Sequence, residues 1–208
     1  MDPTVIHYFD YKSPYAYLAQ EEWHKLAESP GITVDYRPYT LNIPSYLGSA
    51  EVNNRGDVIA ETRNAHQWRR VKYSYMDCRR EANRRGLTLR GPRKIFDSEL
   101  AHIGFLYAKL NGDFRLYHDT VYERFWRRDL DIEDTDVITG VLNECGVDAT
   151  GFAAFTDAEG RRLLEDNQAD AEARGVFGVP SYLVGDELFW GAERFELARG
   201  AVRAMVNS

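Results

Sequence analysis

Residues 8–18 run Tyr-Phe-Asp-Tyr-Lys-Ser-Pro-Tyr-Ala-Tyr-Leu, a strand end leading straight into a helix start. Ser13 has the side chain of an N-cap. Pro14 suits the first helical position, where no donor is needed, and the free amides behind it favour an anion. A hydroxyl at such a point can also hold a thiolate, since a hydrogen-bond donor and a helix N-terminus both stabilise sulfur as the anion. Taken alone, the segment reads first as an ordinary cap. No protein thiol accompanies it: the two cysteines, Cys78 and Cys145, are far apart, so neither a Cys-x-x-Cys redox pair nor a zinc cluster can be written. The histidines His7, His24, His66, His102 and His118 show no one-turn helical pairing, and no metal is expected.

The elements that must position Ser13 follow from periodicity. Residues 4–9 are β-rich, 14–28 carry a helical apolar stripe, and 32–37 alternate as a strand after Pro30-Gly31, giving a β-α-β opening. Pro38 and Pro44 bracket a long irregular stretch reaching Gly56. From 57 to 175 almost everything has helical periodicity. A long helix is predicted over 58–85, with Trp68, Val71, Tyr75 and Cys78 inward, and shorter ones over 94–110, 115–127, 136–145, 150–157 and 160–174. The β pattern then returns at Ser181–Val184 and Glu187–Trp190 about a Gly185-Asp186 turn, before a last helix over 193–206. Neither end closes a sheet alone. The order therefore predicts one α/β sheet domain from residues 1–45 and 176–208, with a helical domain of residues 46–175 inserted into it.

The 208 residues are 44% hydrophobic and 28% charged with a net charge of −7, the profile of a folded globule. No apolar run reaches membrane-spanning length, and the N-terminal residues lack a secretory pattern; a cytoplasmic protein without a membrane role is expected. Residues 55–94 hold twelve Lys or Arg against four Asp or Glu. Arg69, Arg70, Arg79, Arg80, Arg84 and Arg85 spread around the predicted helix beside Glu61, Asp77 and Glu81, which favours a solvated face over a small-anion site, with nucleic acid last.

Gly175-Val176-Phe177-Gly178-Val179-Pro180 precedes the third strand, and Phe189-Trp190-Gly191-Ala192-Glu193-Arg194 follows the fourth. With the Ser13 segment, these resemble 2-hydroxychromene-2-carboxylate isomerases and kappa-class glutathione transferases, in the DsbA-related branch of the thioredoxin superfamily, over nearly the whole chain. The resemblance implies a thioredoxin-like fold with a helical insertion, a cis bond at Val179-Pro180, and glutathione as cofactor. Ser13 stands in place of the redox cysteines and would hold the glutathione sulfur. Val179 would pair its backbone with the cysteinyl part beside Pro180. Ala192 and Glu193 take the place of a small polar residue and an Asp at the γ-glutamyl end, and Lys72, three residues ahead of Tyr75-Met76, would meet a carboxylate. The family's Gly-Asn-x-Pro-Pro segment is absent, and Asn64, ahead of Asn54, is its replacement.

The implied chemistry is reversible addition of the thiolate to a conjugated, electrophilic aromatic small molecule, so that a double bond becomes a rotatable single bond. Tyr11, Tyr15, Tyr17 and the 39–46 loop are the expected walls. A homodimer is implied by the related transferases. The alternatives are a non-catalytic binding protein of the same fold and, behind it, a DsbA-type thiol-disulfide oxidoreductase.

Overall fold

The computed structural model describes residues 4–206. A four-stranded sheet is assembled from both ends of the chain: β1 (Val5–Phe9) and β2 (Val34–Pro38) pair in parallel, β1 pairs antiparallel with β5 (Ser181–Val184), and β5 with β6 (Glu187–Trp190), in the order β2-β1-β5-β6. The parallel β1–β2 pair requires a crossover, supplied by α1 (Pro14–Ala27). All five residues of β1 and all four of β5 are buried, as central strands covered on both faces must be.

Between the two ends lie α2 (Ile43–Leu47), β3 (Ala50–Val52), β4 (Val58–Glu61), α3 (Ala65–Arg84), α4 (Glu99–Asn111), α5 (Phe114–Arg127), α6 (Thr135–Glu144), α7 (Phe152–Asp157) and α8 (Glu159–Ala173). After β6 a 3-10 turn, Ala192–Arg194, leads into α9 (Phe195–Val206). The helices pack back onto the sheet domain: α3 lies against α1, and α8 against α4 and β2.

Two expectations for the middle of the chain are corrected. Residues 58–61 are strand rather than helix. Asn53 Oδ1 accepts from the Arg55 and Asp57 amides, and Gly56 at φ +88° completes a tight turn, so 50–52 and 58–61 close as a hairpin. The predicted irregular stretch is accordingly a one-turn helix followed by this hairpin. The long helix begins only at Ala65, where Asn64 and Gln67 form a reciprocal capping box. Residues 87–98, expected to enter the next helix at 94, instead run as an irregular segment past Pro92 and reach helix only at Glu99.

The inward face of α3 is as expected at Val71 and Cys78, both buried, with Tyr75 packed against the core and Trp68 half-exposed. Its arginines pair locally, Arg80 with Asp77 and Arg84 and Arg85 with Glu81, whereas Glu61 accepts from Trp68 Nε1. No helix among the described residues is long and apolar enough to cross a membrane, and no cluster of three or more His, Cys, Asp or Glu among them could hold a metal ion.

Candidate functional site

Ser13 sits in the β1–α1 loop, folded by a turn in which its amide donates to the Asp10 carbonyl at 3.0 Å. Its hydroxyl caps α1, accepting from the Ala16 amide at 3.2 Å, and it donates to the Val179 carbonyl at 3.4 Å. That second bond is at the long limit, so the proton is easily redirected to a better acceptor. The Val179-Pro180 bond is cis, and Val179, just ahead of β5, lies against the N-terminus of α1. Ser13, Val179 and Pro180 are thus brought together from opposite ends of the chain.

Ser13 and Val179 line a cavity of about 200 Å³. Its walls come from the α1 start (Pro14, Tyr15), the 41–47 segment (Leu41, Ile43, Tyr46), α3 (Val71, Tyr75) and the irregular segment (Pro92, Ile95, Phe96). Of the expected aromatic walls, Tyr15 and Tyr46 are present. Tyr11 and Tyr17 are core: Tyr11 bonds His118 Nδ1 at 3.1 Å and Tyr17 stacks on Tyr122. Tyr39 is buried with its hydroxyl directed to the Val176 carbonyl. Burial raises the Tyr15 phenol, whose hydroxyl reaches Asp77 at 3.4 Å, and pushes Tyr75 up to about 12 despite the opposing Arg63 charge. Both tyrosines are therefore neutral donors at physiological pH.

Three cations line the same cavity: Lys12, Arg63 and Lys94. Lys94 is committed to Glu133. Arg63 lies over the Trp68 ring, 5.1 Å to its centroid, and its Nε donates to the Leu47 and Gly48 carbonyls; it has no carboxylate partner among the described residues. Lys12 is only 7% exposed, and its nearest carboxylate oxygen, Asp10 Oδ2, is 3.8 Å away. Asp10 is itself fully buried. Its carboxylate accepts from the Lys12 amide (3.0 Å) and the Leu41 amide (2.8 Å), with His102 Nε2 3.5 Å off. Burial pushes its carboxyl up, but Lys12, His102 and the Leu41 N–H outweigh this and hold it below the ordinary value. The wall is therefore apolar with an excess of positive charge, suited to an anion.

The remaining sequence candidates do not line this cavity. Lys72 is exposed on α3, its Nζ 5.7 Å from the Trp68 centroid, in an adjoining groove that shares Arg63, Val71 and Tyr75 with the Ser13 cavity. Asn64 is the N-cap of α3, its Oδ1 accepting from the Gln67 amide at 3.0 Å. Ala192 and Glu193 lie in the 3-10 turn that packs against α1. Glu193 folds back so closely that a Cβ on Gly191, at φ +108°, would come within 2.6 Å of Oε2. Lys12, Arg63, Lys94 and Asp10 were not singled out by sequence reasoning. Lys12 had a signal, its place beside Ser13; Arg63 and Lys94 had none, because only the hairpin and the irregular segment carry them to the cavity.

The likeness extends over the chain. Residues 4–203 match the model of the DSBA-like thioredoxin domain. The 2-hydroxychromene-2-carboxylate isomerase of Sphingobium xenophagum is 28% identical over 200 residues, 94% of this chain and 96% of that protein, and its namesake from Pseudomonas putida is 28% identical over 199 residues, 94% and 92%. The solved structure of a 2-hydroxychromene-2-carboxylate isomerase superposes with a TM-score of 0.73 at 26% identity, covering 97% of this chain and 95% of that one. The fold is thus shared along nearly the full length, and the chain belongs to the DsbA-like thioredoxin family.

Proposed function

We propose that this protein is a glutathione-dependent isomerase, of the 2-hydroxychromene-2-carboxylate isomerase kind, acting on an electrophilic aromatic small molecule. The observation that carries the reading is the buried Ser13 hydroxyl at the α1 N-terminus, its proton engaged only by a 3.4 Å bond to the Val179 carbonyl, in the lining of a cation-rich cavity. When bound, glutathione supplies a thiolate that can add to a conjugated double bond and be expelled again, so that it is not consumed. Ser13 turns its hydroxyl from the Val179 carbonyl to the sulfur. The first-turn amides of α1 and Arg63, which has no carboxylate partner among the described residues, add positive potential, which favours the thiolate over the thiol.

The backbone of Val179 offers a strand edge to the peptide, beside Pro180. Glu193 and Ala192 at one end would take the γ-glutamyl group, and Arg63 with Lys72 at the other a carboxylate; Asn64 flanks that end from its cap position. Tyr15, Tyr46 and Phe96 wall the acceptor. The protein's own thiols are unsuited to exchange: Cys78 is fully buried, its thiol pushed up to about 12, and burial raises Cys145 as well. We further propose a cytoplasmic homodimer, tested by sedimentation.

The decisive experiment is glutathione titration followed by ultraviolet difference absorbance of the thiolate. Wild type is expected to develop the thiolate band near neutral pH and Ser13→Ala to lose most of it at equal glutathione occupancy. An undiminished band in Ser13→Ala would remove Ser13 from the role.

A further inference from the structure

The Ser13 cavity is one of two chambers with a common wall. On its other side a second cavity, about 650 Å³, opens between the 40–44 segment, the irregular segment and α8, and Lys12, Leu41, Ile95 and Phe96 line both. Three of these four are apolar, so Lys12 is the sole charge at the joint.

The state of that charge is unusual. Lys12 is 7% exposed, and among the described residues its ammonium makes no hydrogen bond; its one ionic neighbour, Asp10 Oδ2, is 3.8 Å away. An ammonium has three donors and water normally fills them. Asp10 does not need Lys12 as a donor, because its two oxygens already accept the Lys12 and Leu41 amides. The result is a buried cation whose donors remain available to whatever occupies the cavity. The second chamber is edged by Asp97, Glu99, Glu165 and Glu172, against one cation of its own, Arg161. The Ser13 chamber has Arg63 and Lys94. An anionic group is therefore repelled from the larger chamber and drawn to the joint and the Ser13 side of it.

We propose that Lys12 is a specificity-determining residue that binds a carboxylate on the aromatic electrophile, fixing the acceptor with its apolar body along Leu41, Ile95 and Phe96 and its reactive carbon toward Ser13. This rests on the proposed function for the identity of the nucleophile, but not for the binding of the acceptor. A compact ammonium at the end of an apolar slot suits one carboxylate, and a neutral isostere would leave it unfilled.

The test uses trans-cinnamate and its neutral amide, cinnamamide, titrated calorimetrically into wild type, Lys12→Met, Lys12→Arg and the double variant Asp10→Asn/Lys12→Met. The double variant removes both charges together, so that it folds if Lys12→Met alone leaves Asp10 too costly to bury. Wild type is expected to prefer cinnamate at least tenfold. The folded uncharged variant is expected to lose that preference with cinnamamide binding unchanged, and Lys12→Arg to keep part of it. No preference in wild type overturns the proposal, as does a preference that survives in the folded uncharged variant. Glutathione is titrated in parallel. If Lys12→Met or the double variant loses the thiolate band but keeps the carboxylate preference, Lys12 serves the sulfur and the proposal falls. If wild type binds no glutathione yet shows the preference, the proposed function fails and the carboxylate site stands.

Discussion

The core of this protein contains an acid-labile element that can be weighed directly. His7, in the middle of β1, is fully buried between the rings of Trp23, Tyr36 and Tyr182, and neither ring nitrogen has a hydrogen-bond partner. Burial, with His24 nearby, lowers its pKa to about 3. A histidine in the unfolded chain titrates at about 6.5, so as the pH falls below that value the unfolded state takes up a proton that the fold refuses. Stability is whole above pH 6.5 and is lost progressively down to pH 3. At pH 5 the cost from His7 alone is about 2 kcal/mol, a figure that stays the same provided the folded pKa lies well under 5. The carboxylates held low in the fold, Asp10 and Asp35, begin to contribute only nearer pH 4, so pH 5 isolates the histidine term. His118, lowered by burial and by its histidine neighbours, acts in the same direction. The perturbation is His7→Phe, which keeps an aromatic ring and removes the proton site. Urea unfolding at pH 7.5 and pH 5 is the assay, and the difference between the two pH values is the readout, because repacking around Phe changes both equally. Wild type is expected to lose about 2 kcal/mol more than the variant over this interval. Parallel losses in the two proteins would refute the reasoning.

Two further outcomes are expected. A methyl on Gly104 of α4 would lie 2.2 Å from Tyr117 Oη and 2.9 Å from Ile138 Cγ2, at the crossing of α4 with α5 and α6; Gly104→Ala is expected to cost about 1–3 kcal/mol by forced repacking, measured as a fall in urea midpoint without change in slope. Arg63→Met is expected to weaken glutathione about tenfold, as loss of a partly buried charge-assisted bond does, while Lys72→Met, exposed and screened, costs about threefold or less. Calorimetric titration of both checks the order, and a larger loss in Lys72→Met would move the carboxylate end outward along α3.

The parts of the fold legible in the sequence are those fixed by local rules. Ser13-Pro14 carries the side chains of a helix start, and the β-rich runs 5–9 and 181–184 read as strands, which the structure places at the centre of the sheet. The hairpin at 50–61 was missed because Val58 and Ile59 are exposed and give no alternating pattern. What forms it is turn chemistry at Asn53 and Gly56, which a search for apolar periodicity does not weigh. The same miss hid half of the site. With 58–85 drawn as one helix, Arg63 is a surface residue on its first turns; with a hairpin and a cap at Asn64, the chain reverses and delivers Arg63 to the cavity wall. The role of Lys72 was implied by the family resemblance, and a position matched along the helix does not say which of two neighbouring grooves the side chain faces.

Asp10 explains how so small a loop as that of Ser13 is held in place. Its carbonyl accepts the Ser13 amide and the Tyr122 hydroxyl, and its carboxylate the Lys12 and Leu41 amides, so one residue ties together the β1–α1 loop, the segment after β2, and α5. The two backbone donors supply the hydrogen bonds of the carboxylate, and Lys12, ahead of His102, is the largest of the charges that hold it ionised. A fully buried ion pair gives little net stability, and apolar residues of similar size in its place often do better, because desolvation of both charges consumes the attraction between them. At 3.8 Å and without a hydrogen bond, the Lys12–Asp10 contact is poor even by that standard. Stability therefore does not favour the Lys12–Asp10 pair over apolar residues at both positions, although with Asp10 in place Lys12 is needed to offset its burial. A charge kept at a cost, next to Ser13 and facing a cavity, is accounted for by an anion that it meets there.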